Sequence, residues 1–346
     1  MDNLMNNSEK IILLDPHPRP LELIFSPEDK ARLEQLGRVI WHDGAPATDE
    51  HIEKYLPDAV ALIGQTPLPR ERLERAPHLR MVANVESNFL PNVDYEECHR
   101  RNIHVLSTAP VFAQPVAEMA LGLALSAARR INEADAAVRQ GSESLYGEGD
   151  NYDSFLLRGK TLGLVGCGNL GRALLPLLRP FSRDILAHDP WIHPHVLREL
   201  GVEPVGFEEI FERSRVLFIL AATTTENQGA IGARQFASMQ PGSVVVLVSR
   251  AGVVDFEALL DAATRNHLRV AIDVFPKEPI PAGHRVRSTP NTVLSAHRAG
   301  NIPEIWKGMG QMVVDDLEMI LRGLPPQRCQ RANVETVARF RSKPVS

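Results

Sequence analysis

The sequence predicts an α/β fold of two doubly wound domains, one inserted into the other. Three observations lead there. Short apolar runs alternate with helical stretches in two separate series, one before and one after residue 150. The second series opens on a glycine-rich turn between a strand and a helix. The residues after the last long helix are too few to build a domain of their own, so they are expected to return to the first.

In the first series, residues 10–14, 39–42, 59–64, 81–84 and 104–107 read as strands. Ser26-Pro27-Glu28-Asp29 marks a helix start: Ser as N-cap, Pro at the first helical position, acids in the first turn. The apolar stretch 115–128 is shorter than a membrane span and reads as a buried or interface helix. In the second series the apolar runs are 161–165, 184–187, 216–220, 244–248, 269–272 and 292–295, with helices such as 170–178 and 256–265 between them. Six such runs are what a doubly wound nucleotide-binding sheet requires. A long helix at 303–322 stops at Gly323 and Pro325-Pro326. The expected domains are 1–112, 113–298 and a returning segment 299–346.

Of the 346 residues 44% are hydrophobic and 23% charged, with a net charge of -5. That gives no basic footprint for nucleic acid. No basic-then-apolar leader opens the chain, and three widely spaced cysteines without a CxxC suggest a reducing compartment and no metal cage. The expectation is a cytoplasmic protein with no membrane partner.

The turn Gly166-Cys167-Gly168-Asn169-Leu170-Gly171 is the strongest local motif. Gly166 permits the tight turn, Gly168 lets backbone approach a pyrophosphate, and Gly171 allows helix to pack on strand. The free N–H groups of the next helix, beginning near Asn169 and Leu170, suit phosphate. Asp189 ends the following strand, where a carboxylate accepts ribose hydroxyls and repels a 2′-phosphate. The cofactor expected is NAD rather than NADP.

Ligands of such sheets bind beyond the carboxyl ends of the strands. There the sequence delivers Ser249 and Arg250, then Asp273 and Glu278, then His297. Oxidising a 2-hydroxy acid needs a hydride acceptor at C2 and a base for the hydroxyl proton. His297 is the natural base. Glu278 would hold its imidazole, and Arg250 would bind the substrate carboxylate and carbonyl oxygen.

In these residues the chain resembles the D-isomer-specific 2-hydroxyacid dehydrogenases. The blocks that carry the likeness are Leu157 to Gly166, Val248 to Leu259, Asp273 to Pro279 and Leu294 to Gly300. The resemblance implies a Rossmann NAD-binding domain inserted into a discontinuous, flavodoxin-like substrate domain. It assigns catalysis to Arg250, Glu278 and His297. It adds Ser249, Arg250, Asp273 and His297 to the cofactor contacts, with Asp273 near the nicotinamide carboxamide. It further implies a homodimer formed through the cofactor domain, with the helix at 115–130 in the contact, and domains that close over a small 2-oxo or 2-hydroxy acid of the glyoxylate or hydroxypyruvate kind. Two places depart from the pattern. The loop 85–91, which in relatives contains glycine and holds the substrate carboxylate on backbone N–H groups, has none here; Ser87 and Asn88 are the candidate donors, beside Arg250 and His297. The segment 221–225 lacks the usual proline, which predicts a modest change in cofactor contacts. A non-catalytic NAD-sensing regulator, or a dehydrogenase of formate or phosphite, are the alternatives on the same fold.

Overall fold

In the computed structural model, which describes residues 10–144 and 153–339, the chain forms two compact units: 1–112 with 301–346, and 113–300. Unit 1 holds β1 (Ile11–Asp15), β2 (Arg38–Ile40), β3 (Ala59–Gly64), β4 (Met81–Asn84), β5 (His104–Ser107) and the late strand β13 (Gln330–Arg331). Their order in the sheet is β13-β5-β4-β3-β1-β2, parallel except for β13. The run Ile-Ile-Leu-Leu-Asp of β1 is apolar without alternation because both faces are covered. Ile12 and Leu14 join Phe25, Leu33 and Val313 on one face, and Ile11 and Leu13 join Ile52 and Val82 on the other.

Ser26 caps the helix Pro27–Leu36 as the sequence suggests, and Asp29 returns the bond to complete a capping box. The helix Pro303–Leu321 lays Met309, Val313 and Leu317 into the unit 1 core. The tail after it is drawn back by Asp316, fully buried on that helix. Its carboxylate accepts the N–H groups of Gln327 (2.6 Å), Arg328 (2.9 Å) and Cys329 (2.7 Å). β13 then pairs with β5.

Unit 2 is a seven-stranded, all-parallel sheet of β6 (Leu162–Val165), β7 (Ile185–His188), β8 (Glu203–Pro204), β9 (Val216–Ile219), β10 (Ser243–Leu247), β11 (Leu268–Ile272) and β12 (Thr292–Leu294). Its order is β12-β11-β10-β9-β6-β7-β8. Six of these agree with the apolar runs within about one residue at each end. The seventh, β8, escaped the sequence because it is two residues long, half-exposed at best, and contains Pro204; such a strand is tolerated at a sheet edge.

One expectation is corrected. The helical run Ala109–Arg129 has 21 residues, long and apolar enough by length and composition to cross a bilayer, so the 115–128 stretch understated it. Within unit 2 the helix Ala113–Arg129 lies on β10, β11 and the helix Asn169–Leu178. Its buried positions, Val116, Ala120, Leu123, Ala124 and Ala127, recur at helical spacing, while Met119, Leu121 and Leu125 are half-exposed.

Candidate active site

The cofactor turn grows out of β6. Gly166 has φ +94°, and a Cβ there would lie 2.8 Å from the backbone nitrogen of Ala221, in the loop after the neighbouring β9. A side chain at Gly171 would stand 3.0 Å from the Gly166 carbonyl oxygen, so glycine lets the helix sit close to the turn without displacing it. Gly168 differs: a Cβ there meets nothing within 4 Å. The helix Asn169–Leu178 begins with no side-chain cap from Gly168, which leaves the first-turn N–H groups of Asn169, Leu170 and Gly171 for a phosphate. β6 and β9 are neighbours in the sheet although β7 and β8 lie between them in sequence; those two strands extend the sheet on the other side of β6, which makes this the switch point.

Asp189, at the end of β7, braces the turn. Its Oδ2 accepts the Cys167 N–H (2.8 Å) and its Oδ1 the Trp191 N–H (2.9 Å). The carboxylate is half-buried and keeps lone pairs for hydroxyl donors. Cys167 faces inward, and burial, followed by the nearby Asp189 charge, pushes its thiol up to about 11. The sulfur therefore stays neutral, and no thiolate opposes a bound pyrophosphate.

The segment after β9 is held by a side-chain clasp. Asn227 accepts the Thr224 N–H at 2.7 Å and donates to the Ala222 carbonyl at 2.8 Å, and Thr223 packs on Gly252. These contacts were not legible in the sequence, since an Asn in a polar loop carries no signal of its own.

Three adjacent strands deliver the reacting groups. After β10 come Ser249, buried, whose Oγ has no hydrogen-bond partner among the described residues, and half-buried Arg250, whose Nη1 donates to the Ser249 carbonyl at 2.7 Å. After β11 comes Asp273, with no exposed surface. Its two oxygens accept the N–H groups of Arg298 (3.0 Å) and Ala299 (3.2 Å), and its carbonyl accepts that of His297 (2.8 Å). The Asp273 side chain is thus given over to the His297 loop rather than to an open face of the crevice. That support matters because His297 has φ +52°, a backbone conformation held only where the surroundings determine it. Glu278 is aimed by the Phe275 N–H on Oε1 (2.9 Å), and its Oε2 meets His297 Nδ1 at 2.6 Å. With Nδ1 engaged, Nε2 of the 46% exposed side chain is the nitrogen left to exchange a proton.

A nicotinamide dinucleotide fits what is present: open space over Gly168, an uncapped helix start, a carboxylate at the end of β7 and the buried Ser249 hydroxyl at the end of β10. Among the described residues no group of three or more His, Cys, Asp and Glu is placed to hold a metal ion.

Ser87 and Asn88 belong to unit 1. Their loop is pinned on both sides: the Glu86 carbonyl accepts the Thr108 N–H (3.0 Å) and hydroxyl (3.2 Å), while Phe89 is buried edge-on to Tyr95. Ser87 is half-buried and Asn88 exposed. The loop without glycine is thus an ordered one, anchored by an aromatic.

Comparison with known proteins finds relatives across most of the chain. The family model of the D-isomer specific 2-hydroxyacid dehydrogenase NAD binding domain matches residues 121–299. A glyoxylate reductase of Korarchaeum cryptofilum is 33% identical over 291 residues, 83% of this chain and 87% of that protein. The crystal structure of a phosphoglycerate oxidoreductase from Rhizobium etli has 42% identity and a TM-score of 0.85, covering 95% of this chain and 99% of that one. An NADPH-dependent glyoxylate/hydroxypyruvate reductase from Sinorhizobium meliloti has 25% identity and a TM-score of 0.70, over 93% and 97% of the two chains. Fold, turn, reacting side chains and relatives converge: the chain belongs to the D-isomer specific 2-hydroxyacid dehydrogenase family and is an NAD(P)-dependent oxidoreductase of 2-hydroxy acids.

Proposed function

We propose that the protein interconverts a short 2-oxo acid and its 2-hydroxy acid, with NAD preferred over NADP, and that Arg250, Glu278 and His297 carry the chemistry. The observation that bears most weight is the 2.6 Å contact between His297 Nδ1 and Glu278 Oε2. It sits beyond β11 and β12, next to the strand that ends in Arg250. The nicotinamide, when bound, supplies or takes the hydride at C2. In reduction, His297 passes the proton on Nε2 to the carbonyl oxygen, while Glu278 keeps hold of Nδ1. Arg250 binds the carboxylate and stabilises the negative charge growing on that oxygen. In oxidation the same imidazole takes the hydroxyl proton. Ser87 and Asn88 are the proposed polar contacts to the acid from unit 1. Asp273 acts by fixing the His297 backbone.

The preference for NAD rests on Asp189, whose charge at the end of β7 opposes a 2′-phosphate. A homodimer is part of the reading. The helix Ile131–Gln140 has no buried residue, and Ile131, Val138 and the nearby Leu156 are 54%, 62% and 63% exposed. A ten-residue helix with an unused apolar stripe needs a partner surface to be stable. Three buried, unpaired cysteines accord with a cytoplasmic setting.

The test is oxidation of NADH and NADPH, side by side, with 2-oxo acids from glyoxylate to phenylpyruvate. Turnover with a short acid and a preference for NADH are expected, with Asp189→Ala narrowing that preference about tenfold or more. Silence with every acid, while NADH still binds, would sink the activity; an unchanged preference in Asp189→Ala would show that another group selects the cofactor.

A further inference from the structure

With the pyrophosphate on the turn after β6 and the adenosine ribose at Asp189 after β7, the nicotinamide half of the cofactor runs the other way in the strand order. That direction leads over the ends of β9, β10 and β11, all within unit 2. The carboxamide of the ring brings an N–H2 group and a carbonyl oxygen, and both want partners once they leave water. The family resemblance points to the Asp273 carboxylate. In this chain that carboxylate is fully buried, and its two oxygens accept the N–H groups of Arg298 (3.0 Å) and Ala299 (3.2 Å). Drawing it away would release the backbone that keeps His297 at φ +52°.

One strand over stands Ser249. It is 4% exposed, and its Oγ has no hydrogen-bond partner among the described residues. Native proteins leave few buried polar groups in that state. Among the described residues of unit 2, the other buried side-chain atom with neither a hydrogen bond nor an ion pair is His267 Nε2. It lies just before β11, at the opposite end of the sheet. Ser249 is thus the unsatisfied side chain at the cofactor end. Two bonds fix its place there. The Asp273 N–H donates to the Leu247 carbonyl at 3.0 Å and keeps the ends of β10 and β11 together. Arg250 Nη1 donates to the Ser249 carbonyl at 2.7 Å, which sets this residue against the guanidinium. An orphaned donor is rarer in native structures than an under-satisfied acceptor, so the hydroxyl proton is the part that calls for a partner.

We propose that the Ser249 hydroxyl, and not the Asp273 carboxylate, holds the nicotinamide carboxamide, donating its proton to the carboxamide oxygen. The contact fixes the rotation of the ring, and with it the face turned to the substrate. The placing of the ring beside Arg250 and His297 rests on the function proposed above.

The experiment measures dissociation constants by calorimetry for NADH, its reduced acetylpyridine analogue and ADP-ribose, in the wild type and in Ser249→Ala. The analogue keeps the carbonyl oxygen and has a methyl group for the N–H2, and ADP-ribose has no ring. The wild type should bind the two reduced dinucleotides about equally. Ser249→Ala should weaken both about three- to tenfold, the worth of one neutral hydrogen bond, and leave ADP-ribose unchanged. A wild type that binds the analogue tenfold more weakly than NADH returns the carboxamide to an acceptor such as Asp273 and overturns the proposal. NADH affinity unmoved in Ser249→Ala overturns it too, and assigns the hydroxyl to ordered water. So does an equal loss of ADP-ribose, which makes the residue structural. A loss confined to NADH overturns the donation, because the hydroxyl would then accept from the N–H2. All these constants are read without substrate, so silence with every 2-oxo acid would fail the activity alone.

Discussion

His297 is constrained from two directions. Its backbone, at φ +52°, is fixed because the Asp273 carbonyl and carboxylate take three successive N–H groups, from His297 to Ala299. Its ring is fixed because Glu278, itself anchored by the Phe275 N–H, meets Nδ1. The anchoring makes Glu278→Gln informative. The Phe275 N–H should keep the amide oxygen, turning the amide nitrogen toward His297 Nδ1. That ring nitrogen must then accept rather than donate, so the imidazole can no longer carry protons on both nitrogens. We expect kcat for 2-oxo acid reduction to fall about 10²- to 10³-fold with NADH affinity unchanged, measured by steady-state kinetics and fluorescence titration. A variant as active as the wild type would remove Glu278 from the mechanism. The types of these residues were readable from the sequence, because each follows a strand of the same sheet. Asp273 was readable as a residue but not as a buried brace, since its partners lie 25 and 26 positions on.

At the scale of the element, local and non-local causes separate cleanly. The helix Pro27–Leu36 is set by a capping box within four residues, and the turn at Gly166 by spacing within six, so both could be read directly. The return of the C-terminal tail depends instead on Asp316. That carboxylate is fully buried and holds three N–H groups of the segment leading to β13. Hydrogen bonds to a charged group are worth ~1.5–3 kcal/mol each and are not additive. Asp316→Ala should therefore cost about 3 kcal/mol, a drop in Tm on the order of 5–10 °C, with faster amide exchange at residues 327–332. A variant that melts with the wild type would mean that the β5–β13 pairing holds the tail alone.

At the scale of the molecule, the helix Ile131–Gln140 is the surface on which the proposed dimer is tested. Ile131 and Val138 stand seven residues apart on it, two turns along one face, and both are more than half exposed. On the proposed homodimer, Ile131→Glu with Val138→Glu should convert the dimer to a monomer in light scattering while leaving NADH binding intact. A wild type that is already monomeric would remove the dimer from the account, as would a double variant that remains dimeric.

By itself the sequence determined the α/β class, the two series of strands, the cofactor turn and the identity of the reacting residues. Each depends on the order of residue types over a few positions, and the parallel strand–helix rhythm then brings the strand ends to one side. The tertiary structure alone decided which carboxylate serves the ring and which the loop, and which strand of unit 1 the returning tail pairs with. Those pairings join residues far apart in the chain, and their partners become neighbours only when the strands take their places in the sheet.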